Sequence, residues 1–167
     1  MGNTPLKWYK QNTHGGGVRD PLVIHWPERL GRPGGFRRQF CRVIDIVPTV
    51  LELAGVKAPK EQDADGVSLV PLLKGGKIAD RPLFWHYPHY GNQGGTPGSS
   101  VRCGDWKLIE FFEDGRFELY HTGRDIGETK NLADSEPDVT RRLHALMTDW
   151  RKRVKAPMPT AKDGGAS

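Results

Sequence analysis

Long apolar runs are absent from this 167-residue sequence: no stretch approaches the roughly 18 residues that span a bilayer, and the N-terminal region has no uninterrupted apolar core of the signal-peptide kind. Neither a membrane partner nor an export signal is expected from these residues. Cysteine is scarce, Cys41 and Cys103 standing alone with no C-x-x-C pair and no histidine at ligand spacing, so a structural zinc site is unsupported. The two read either as small semi-buried residues or as one disulfide. Charge of a single sign is also lacking: 25 Lys and Arg face 20 Asp and Glu, a net +5. Acidic residues are interspersed and no basic run exceeds about three, so a nucleic-acid partner is not expected. A mildly basic surface is compatible with anionic substrates. No repeat at a period of 20–50 residues is visible.

Glycine (21) and proline (13) are plentiful, which predicts many turns and disfavours a helical bundle. Leu22–Trp26 reads as a short buried strand ended by Pro27, and 31–35 as a turn-rich loop. Ile44, Val47, Val50, Leu51 and Ala54 carry a helical spacing; with Asp45 as cap and Gly55 as stop they predict an amphipathic helix over 46–54. Leu69, Leu72 and Leu73 predict one helical turn closed by Gly75 and Gly76. Arg81–Tyr87 reads as a strand, and 91–100 (GNQGGTPGSS), with no hydrophobic residue, as a solvent-facing loop and candidate binding loop.

Val101–Phe112 and Phe117–Tyr120 flank Glu113-Asp114-Gly115-Arg116, a strong hairpin signal. Alternation puts Trp106 and Leu108 on one face of this sheet and Lys107 and Ile109 on the other. Val139, Leu143, Leu146, Met147, Trp150 and Val154 predict a four-turn helix, introduced by Ser135-Glu136-Pro137-Asp138, whose stripe covers the sheet. Residues 157–167 read as a disordered tail. The order strand, helix, short helix, antiparallel strands, long helix is α+β, not a complete alternating α/β domain. The strand at Leu22–Trp26 lacks neighbours nearby and needs either the later sheet or parallel partners in preceding sequence.

Candidate chemistry begins with Lys10 in Lys10-Gln11-Asn12-Thr13-His14-Gly15-Gly16-Gly17-Val18-Arg19-Asp20-Pro21. An ammonium offers three donors to an oxyanion, and the glycines allow close backbone approach. The pattern is not a phosphate loop, since the glycines precede a strand and Gly-Lys-Ser/Thr is absent. There is no Gly-x-Ser-x-Gly and no His-Glu-x-x-His. His86 and His89, three apart in Trp85-His86-Tyr87-Pro88-His89-Tyr90, would need a bend at Pro88 to share a ligand. No metal site is read from the sequence.

Taken in order, K-x-x-T-x-x-G-G-V-R-x-P-L-V-I-x-W-P, D-I-V-P-T-V-L-E-L-A-G, D-G-V-S-L-V-P-L-L-K-G, V-R-C-G-D-W-K-L-I and E-L-Y-H-T-G-R-D-I-G-E-T-K-N-L-A resemble the C-terminal third of a formylglycine-dependent sulfatase, of the arylsulfatase kind. The resemblance spans about residues 3–155. It implies an alkaline-phosphatase-like α/β fold, of which 1–80 would close the catalytic domain, 81–156 would form a C-terminal subdomain of antiparallel strands and a helix, and the parallel neighbours of Leu22–Trp26 would lie upstream. It implies hydrolysis of sulfate esters of small molecules or sugars, with Lys10 as the lysine that contacts the sulfate ester. Trp85–Tyr90 and the loop after it would lie beside the substrate, with His86, His89, Tyr90, Asn92 and Gln93 shaping the leaving-group pocket. Gly15, Gly16, Gly17 and Arg19 would set loop geometry, with Gly15 standing where the family commonly has Glu.

Calcium and formylglycine are implied for the full-length enzyme, yet C/S-x-P-x-R and the upstream metal ligands have no counterpart here, so the chain alone is expected to be inactive and to depend on an N-terminal catalytic region. Export of a full-length parent rests on the resemblance alone. A non-catalytic remnant, or a module binding anions or sulfated glycans, is the other reading of the same residues.

Overall fold

The computed structural model describes residues 3–30, 35–57 and 65–160. The chain divides into two compact units, one formed by the N-terminal stretch to Pro21 together with residues from Arg81 onward, the other by Leu22–Asp80. Each is described by itself. Within the expected span 1–80, therefore, the first 21 residues pack with the later sheet.

The first unit is built on a four-stranded antiparallel meander, β1 (Leu83–Tyr87), β2 (Gly98–Cys103), β3 (Trp106–Phe111) and β4 (Phe117–His121), in spatial order β1-β2-β3-β4. Alternation along these strands sorts their residues onto two faces. Phe84, Val101, Leu108 and Leu119 turn to one face and are covered there by Leu143 and Met147 of α5 (Pro137–Arg153). These six are buried, and each large side chain contributes roughly 1.5–3 kcal/mol by leaving water. Phe84 stacks on Trp150, ring centroids 4.8 Å apart, and Glu110 pairs with Arg151 at 2.8 Å. Helix α5 thus follows its sequence pattern, although the expected cap is different: Pro137 opens the helix after Glu136, and the Ser135 hydroxyl instead donates to the Leu132 carbonyl.

The opposite face carries Ile109, Phe111 and Tyr120 as a second buried cluster, together with Lys107 and Glu118. The N-terminal segment, with the one-turn helix α1 (Gly15–Val18), packs on this side, where His14 lies beside Phe111 and Tyr120. Asn131 protects the outer edge of β4: its Oδ1 accepts the Leu119 N–H at 2.9 Å, its Nδ2 donates to Phe117 O, and Leu132 N–H follows onto Leu119 O. Covering an edge in this way denies it to another chain.

Two strand expectations are corrected here. Val101–Phe112 is not one strand: Cys103 pairs with Trp106 across a two-residue turn, Gly104-Asp105, with Gly104 at φ 59°. Glycine adopts that conformation without a side-chain clash. The loop after β1 is shorter than 91–100, because Gly98–Ser100 belong to β2, and Ser99 and Ser100 are wholly buried. Their small size explains it, for a β-carbon on Gly98 would sit 2.7 Å from Glu110 O on the neighbouring strand.

The second unit contains α2 (Pro27–Leu30), a 3₁₀ turn (Val43–Asp45) running into α3 (Ile46–Leu53), and α4 (Val70–Leu73). Its centre is polar as well as apolar. The buried Asp45 carboxylate accepts N–H groups from Arg42 at 2.7 Å and Val67 at 2.9 Å, and the Thr49 hydroxyl donates to Asp45 O while accepting the Leu69 N–H. Asp45 therefore clamps two loops where its sequence position suggested a simple cap. Leu69, Val70 and Leu72 are buried, and Gly75 (φ 87°) closes α4. The α3 stripe is present but uncovered within this unit, with Val47 and Val50 more than half exposed.

Leu22–Trp26 forms no strand. It is backbone without regular structure, with Leu22, Val23 and Ile24 all exposed, since no strand among the described residues pairs with it. Most of the predicted turn at 31–35 and the end of the tail, 161–167, lie outside the described residues. No disulfide joins Cys41 and Cys103, and no helix among the described residues is long and apolar enough to cross a membrane.

Candidate active site

The Lys10 loop folds over the glycine triplet so closely that side chains are excluded. A β-carbon on Gly16 would strike the carbonyl oxygen of Trp8, and one on Gly17 that of Asn12. Gly16 N–H donates back to Lys7 O at 2.8 Å, and Asn3 Nδ2 donates to Gly16 O at 2.6 Å. The glycines at 16 and 17 are thus required by close approach, whereas a β-carbon on Gly15 would meet Glu128 Oε2 at an ordinary 3.4 Å. Arg19 N–H closes α1 on Gly15 O at 3.0 Å.

Backbone strain gathers around Lys10. Trp8 (φ 62°) and Gln11 (φ 68°) lie in the left-handed region that non-glycine residues rarely adopt, each at a cost of about 1–3 kcal/mol. Lys10 between them is exposed, and among the described residues its ammonium has no hydrogen-bond or ionic partner.

The candidate pocket loop is brought to the same place. Gln93 N–H donates to Gln11 Oε1 at 3.2 Å, the Gly91 N–H donates to Gly95 O at 2.7 Å, and Gly91 and Gly95 both face Gln11 closely enough to exclude a β-carbon. Asn92 and Gln93 are exposed at the tip. His89 is exposed and meets Tyr87 edge-on; Tyr90, also exposed, donates its hydroxyl to Glu113 at 2.9 Å, and this bond with the Glu113 charge raises that phenol. The hydrogen bond is the largest influence on it.

His86 stands apart from this group, on the α5 face. Its Nε2 donates to Pro157 O at 2.7 Å and its Nδ1 lies 2.6 Å from Ser99 Oγ, with Phe112 and Trp150 around the ring.

Beneath the Lys10 loop lies a polar layer on the sheet. His14 Nε2 and Tyr120 OH both donate to Glu118 Oε2, at 2.8 and 2.6 Å, and Lys7 Nζ donates to Tyr120 OH at 2.9 Å while standing 3.7 Å from the carboxylate. Burial opposes the charge on Glu118, but these donors and the nearby cations outweigh it and hold the carboxyl at about 2. Burial and the Glu118 bond push the Tyr120 phenol well above its ordinary range.

A second carboxylate, Glu128, is 1% exposed and bridges two partners. Its Oε2 accepts the Gly15 N–H and its Oε1 the Lys107 ammonium, both at 2.7 Å. Burial lowers Lys107 and the Glu128 charge opposes it. Removing either member would strand the other inside the protein at a cost of about 3–5 kcal/mol. Glu118, Glu128, Lys107 and Gln11 carry this layer without having been marked as site residues in the sequence. One signal was available, since a lysine alternating with Leu108 on a buried strand requires an acidic partner.

Among the described residues no group of three or more His, Cys, Asp or Glu could hold a metal ion, and C/S-x-P-x-R does not occur in the sequence. The residues present therefore do not fit a calcium site or a formylglycine nucleophile. What this arrangement offers is an exposed cation, unpartnered among the described residues, beside a polar loop.

Residues 6–153 match the family model described as N-sulphoglucosamine sulphohydrolase, C-terminal. A sulfatase of Formosa agariphila is 34% identical over 93% of this chain and 31% of its own length. The N-acetylgalactosamine-6-sulfatase of Canis lupus familiaris is 37% identical over 78% of the chain and 24% of its own. The chain thus spans a quarter to a third of these relatives. Among solved structures, one in complex with k-i-k-neocarrahexaose superposes with a TM-score of 0.70 at 27% identity, covering 89% of this chain and 32% of that one. Another, in complex with its substrate D-glucosamine-2-N,6-O-disulfate, gives 0.59 at 29% identity, covering 71% and 25%.

Proposed function

The chain belongs to the N-sulphoglucosamine sulphohydrolase C-terminal family and is a C-terminal portion of a sulfatase; on that premise we propose that it completes the active site of an enzyme hydrolysing sulfate esters of sugars. The observation that carries this reading is the convergence of an unpartnered Lys10 and the 91–97 loop on one residue, Gln11. In this reading residues 1–80 close the catalytic α/β domain and 81–156 form the C-terminal subdomain, while the stretch through Pro21 lies on the subdomain's sheet and carries Lys10 to the loop.

Lys10 binds the sulfate ester. Sulfate is anionic throughout the reaction, and charge grows on the leaving oxygen as the S–O bond breaks. A pre-placed ammonium stabilises that growing charge without reorganising, an effect of about 2.7–4 kcal/mol for a well-placed donor. Asn92 and Gln93 present amides, and His89 and Tyr90 rings, to the sugar bearing the sulfate. That the partner is a sulfated sugar is supported by the ligands in the two solved relatives. The calcium and the formylglycine nucleophile of the family are assigned to an N-terminal catalytic region joined to this one.

The test is Lys10→Ala in the enzyme containing that region, assayed on a sulfated monosaccharide. Because Lys10 is exposed, folding is expected to be unchanged and kcat to fall about 10²–10³-fold. Full kcat in that variant overturns the assignment.

A further inference from the structure

We propose that Glu128 is a positioning residue for Lys10, acting through the backbone N–H of Gly15. The inference rests on the sulfatase reading of Lys10 and adds a residue to it.

Glu128 lies 113 residues from Gly15, so the hydrogen bond between them is a tertiary fastening of the glycine turn to the sheet. Its other oxygen is held by Lys107 on β3, a strand paired on both sides. The carboxylate therefore links a strand in the interior of the sheet to the first residue of α1. From there the link continues: the β-carbon positions of Gly16 and Gly17 are filled by the carbonyls of Trp8 and Asn12, which bracket Lys10. Displacing Gly15 displaces the backbone on both sides of the lysine.

Glu128 is itself held in place at a backbone cost. It sits at φ 51°, and Asp125 stabilises its turn by accepting N–H groups from Thr129 at 2.7 Å and Lys130 at 3.0 Å. Three of the four described non-glycine residues with positive φ are Trp8, Gln11 and Glu128, so the strain of this unit is concentrated in the lysine loop and its fastening. A buried ion pair could be replaced by apolar residues if packing were its whole purpose. An apolar residue at 128 could not accept the Gly15 N–H.

The experiment uses the complete enzyme and an aryl sulfate as chromogenic probe. Glu128→Leu removes the acceptor of the Gly15 N–H but leaves Lys107 without its counter-charge and can destabilise the fold, so Glu128→Leu with Lys107→Met is made alongside it, replacing the ion pair by apolar groups that accept no N–H. Each is combined with Lys10→Ala. In whichever variants melt like the parent, kcat is expected to fall about tenfold with KM within twofold, and the same change in the Lys10→Ala background is expected to produce no further loss. Loss of kcat that multiplies undiminished with that of Lys10→Ala overturns the proposal, as does unchanged kcat. If Lys10→Ala alone retains full kcat, the sulfatase assignment of Lys10 is what has failed. If it loses activity and the Glu128 variants do not, only the positioning role has failed.

Discussion

Gln93 donates its backbone N–H to the side-chain oxygen of Gln11, 82 residues earlier and one position after Lys10. A loop of glycine and amide residues is thereby fastened to the loop that carries the cation. In Gln11→Ala this bond is lost along with the side-chain oxygen that faces Gly91, while the backbone carbonyl that faces Gly95 remains. A neutral hydrogen bond contributes about 0.5–1.5 kcal/mol. KM for a sulfated oligosaccharide in the complete enzyme is expected to rise roughly three- to tenfold, with a smaller change in kcat. Steady-state kinetics measures this, and an unaltered KM would separate the loop from substrate binding.

Gly16 and Gly15 should respond differently to the same added methyl group. In Gly16→Ala the new carbon enters the Trp8 carbonyl and the loop must open; overpacking of this kind costs about 1–3 kcal/mol. In Gly15→Ala it meets Glu128 Oε2 at 3.4 Å, and the cost is expected to stay below that of the neighbour. Thermal melting of the two variants decides it, and equal melting temperatures would contradict the described packing.

The acid sensitivity of the protein should report Glu118. Its folded value of about 2 lies below the ordinary 4.5, so the unfolded chain binds the proton first. The associated stability, about 3 kcal/mol as an order of magnitude, is complete above pH about 4.5 and is lost as pH falls toward 2. Urea unfolding at pH 5.5 and 3 should show this loss in the parent and a smaller one in Glu118→Gln. Asp125 and Asp114 are also lowered, Asp125 by the N–H groups of Lys130 and Thr129 and Asp114 by Arg116, and act in the same direction. Identical slopes in the two proteins would remove Glu118 from the account.

On the other face of the sheet, Leu143→Ala should cost about 2–5 kcal/mol, because the side chain is wholly buried among Phe84, Val101, Leu108, Leu119 and Met147. Enzyme that remains folded at low temperature is expected to keep its KM, since this core lies behind the sheet from Lys10. Calorimetry and kinetics on the same preparation test both halves.

Helix α5 was legible in the sequence because its stripe persists over four turns, and the β3–β4 hairpin because Asp114-Gly115 marks it. The β2–β3 turn at Gly104-Asp105 was signalled too, but the apolar residues Val101, Cys103, Trp106 and Leu108 run close together across it and read as a single strand, although the three-residue step from Cys103 to Trp106 would put the two pairs on opposite faces of one strand. Ser99 and Ser100 were read as loop because burial without apolar surface has no hydropathy signature; pairing with Glu110 and Ile109 determines it. Leu22–Trp26 has the composition of a buried strand, but composition supplies no ladder partner. In the site, Lys10 and the 91–97 loop could be named from the family resemblance. The carboxylates that support them, at separations of 104 and 113 residues from His14 and Gly15, depend on tertiary contacts that local patterns do not encode.

The division of the sheet into an apolar face and an ionic face also protects its register. Sliding β4 by a single residue would send Glu118 and Tyr120 toward Leu143 and Met147, and Leu119 toward His14 and Lys7. Both sides of the misaligned strand would then be wrong at once, one with a carboxylate stranded in hydrocarbon and the other with a histidine and a lysine deprived of their acceptor. The same atoms that support the lysine loop thus act, while the chain is folding, as a check on strand alignment.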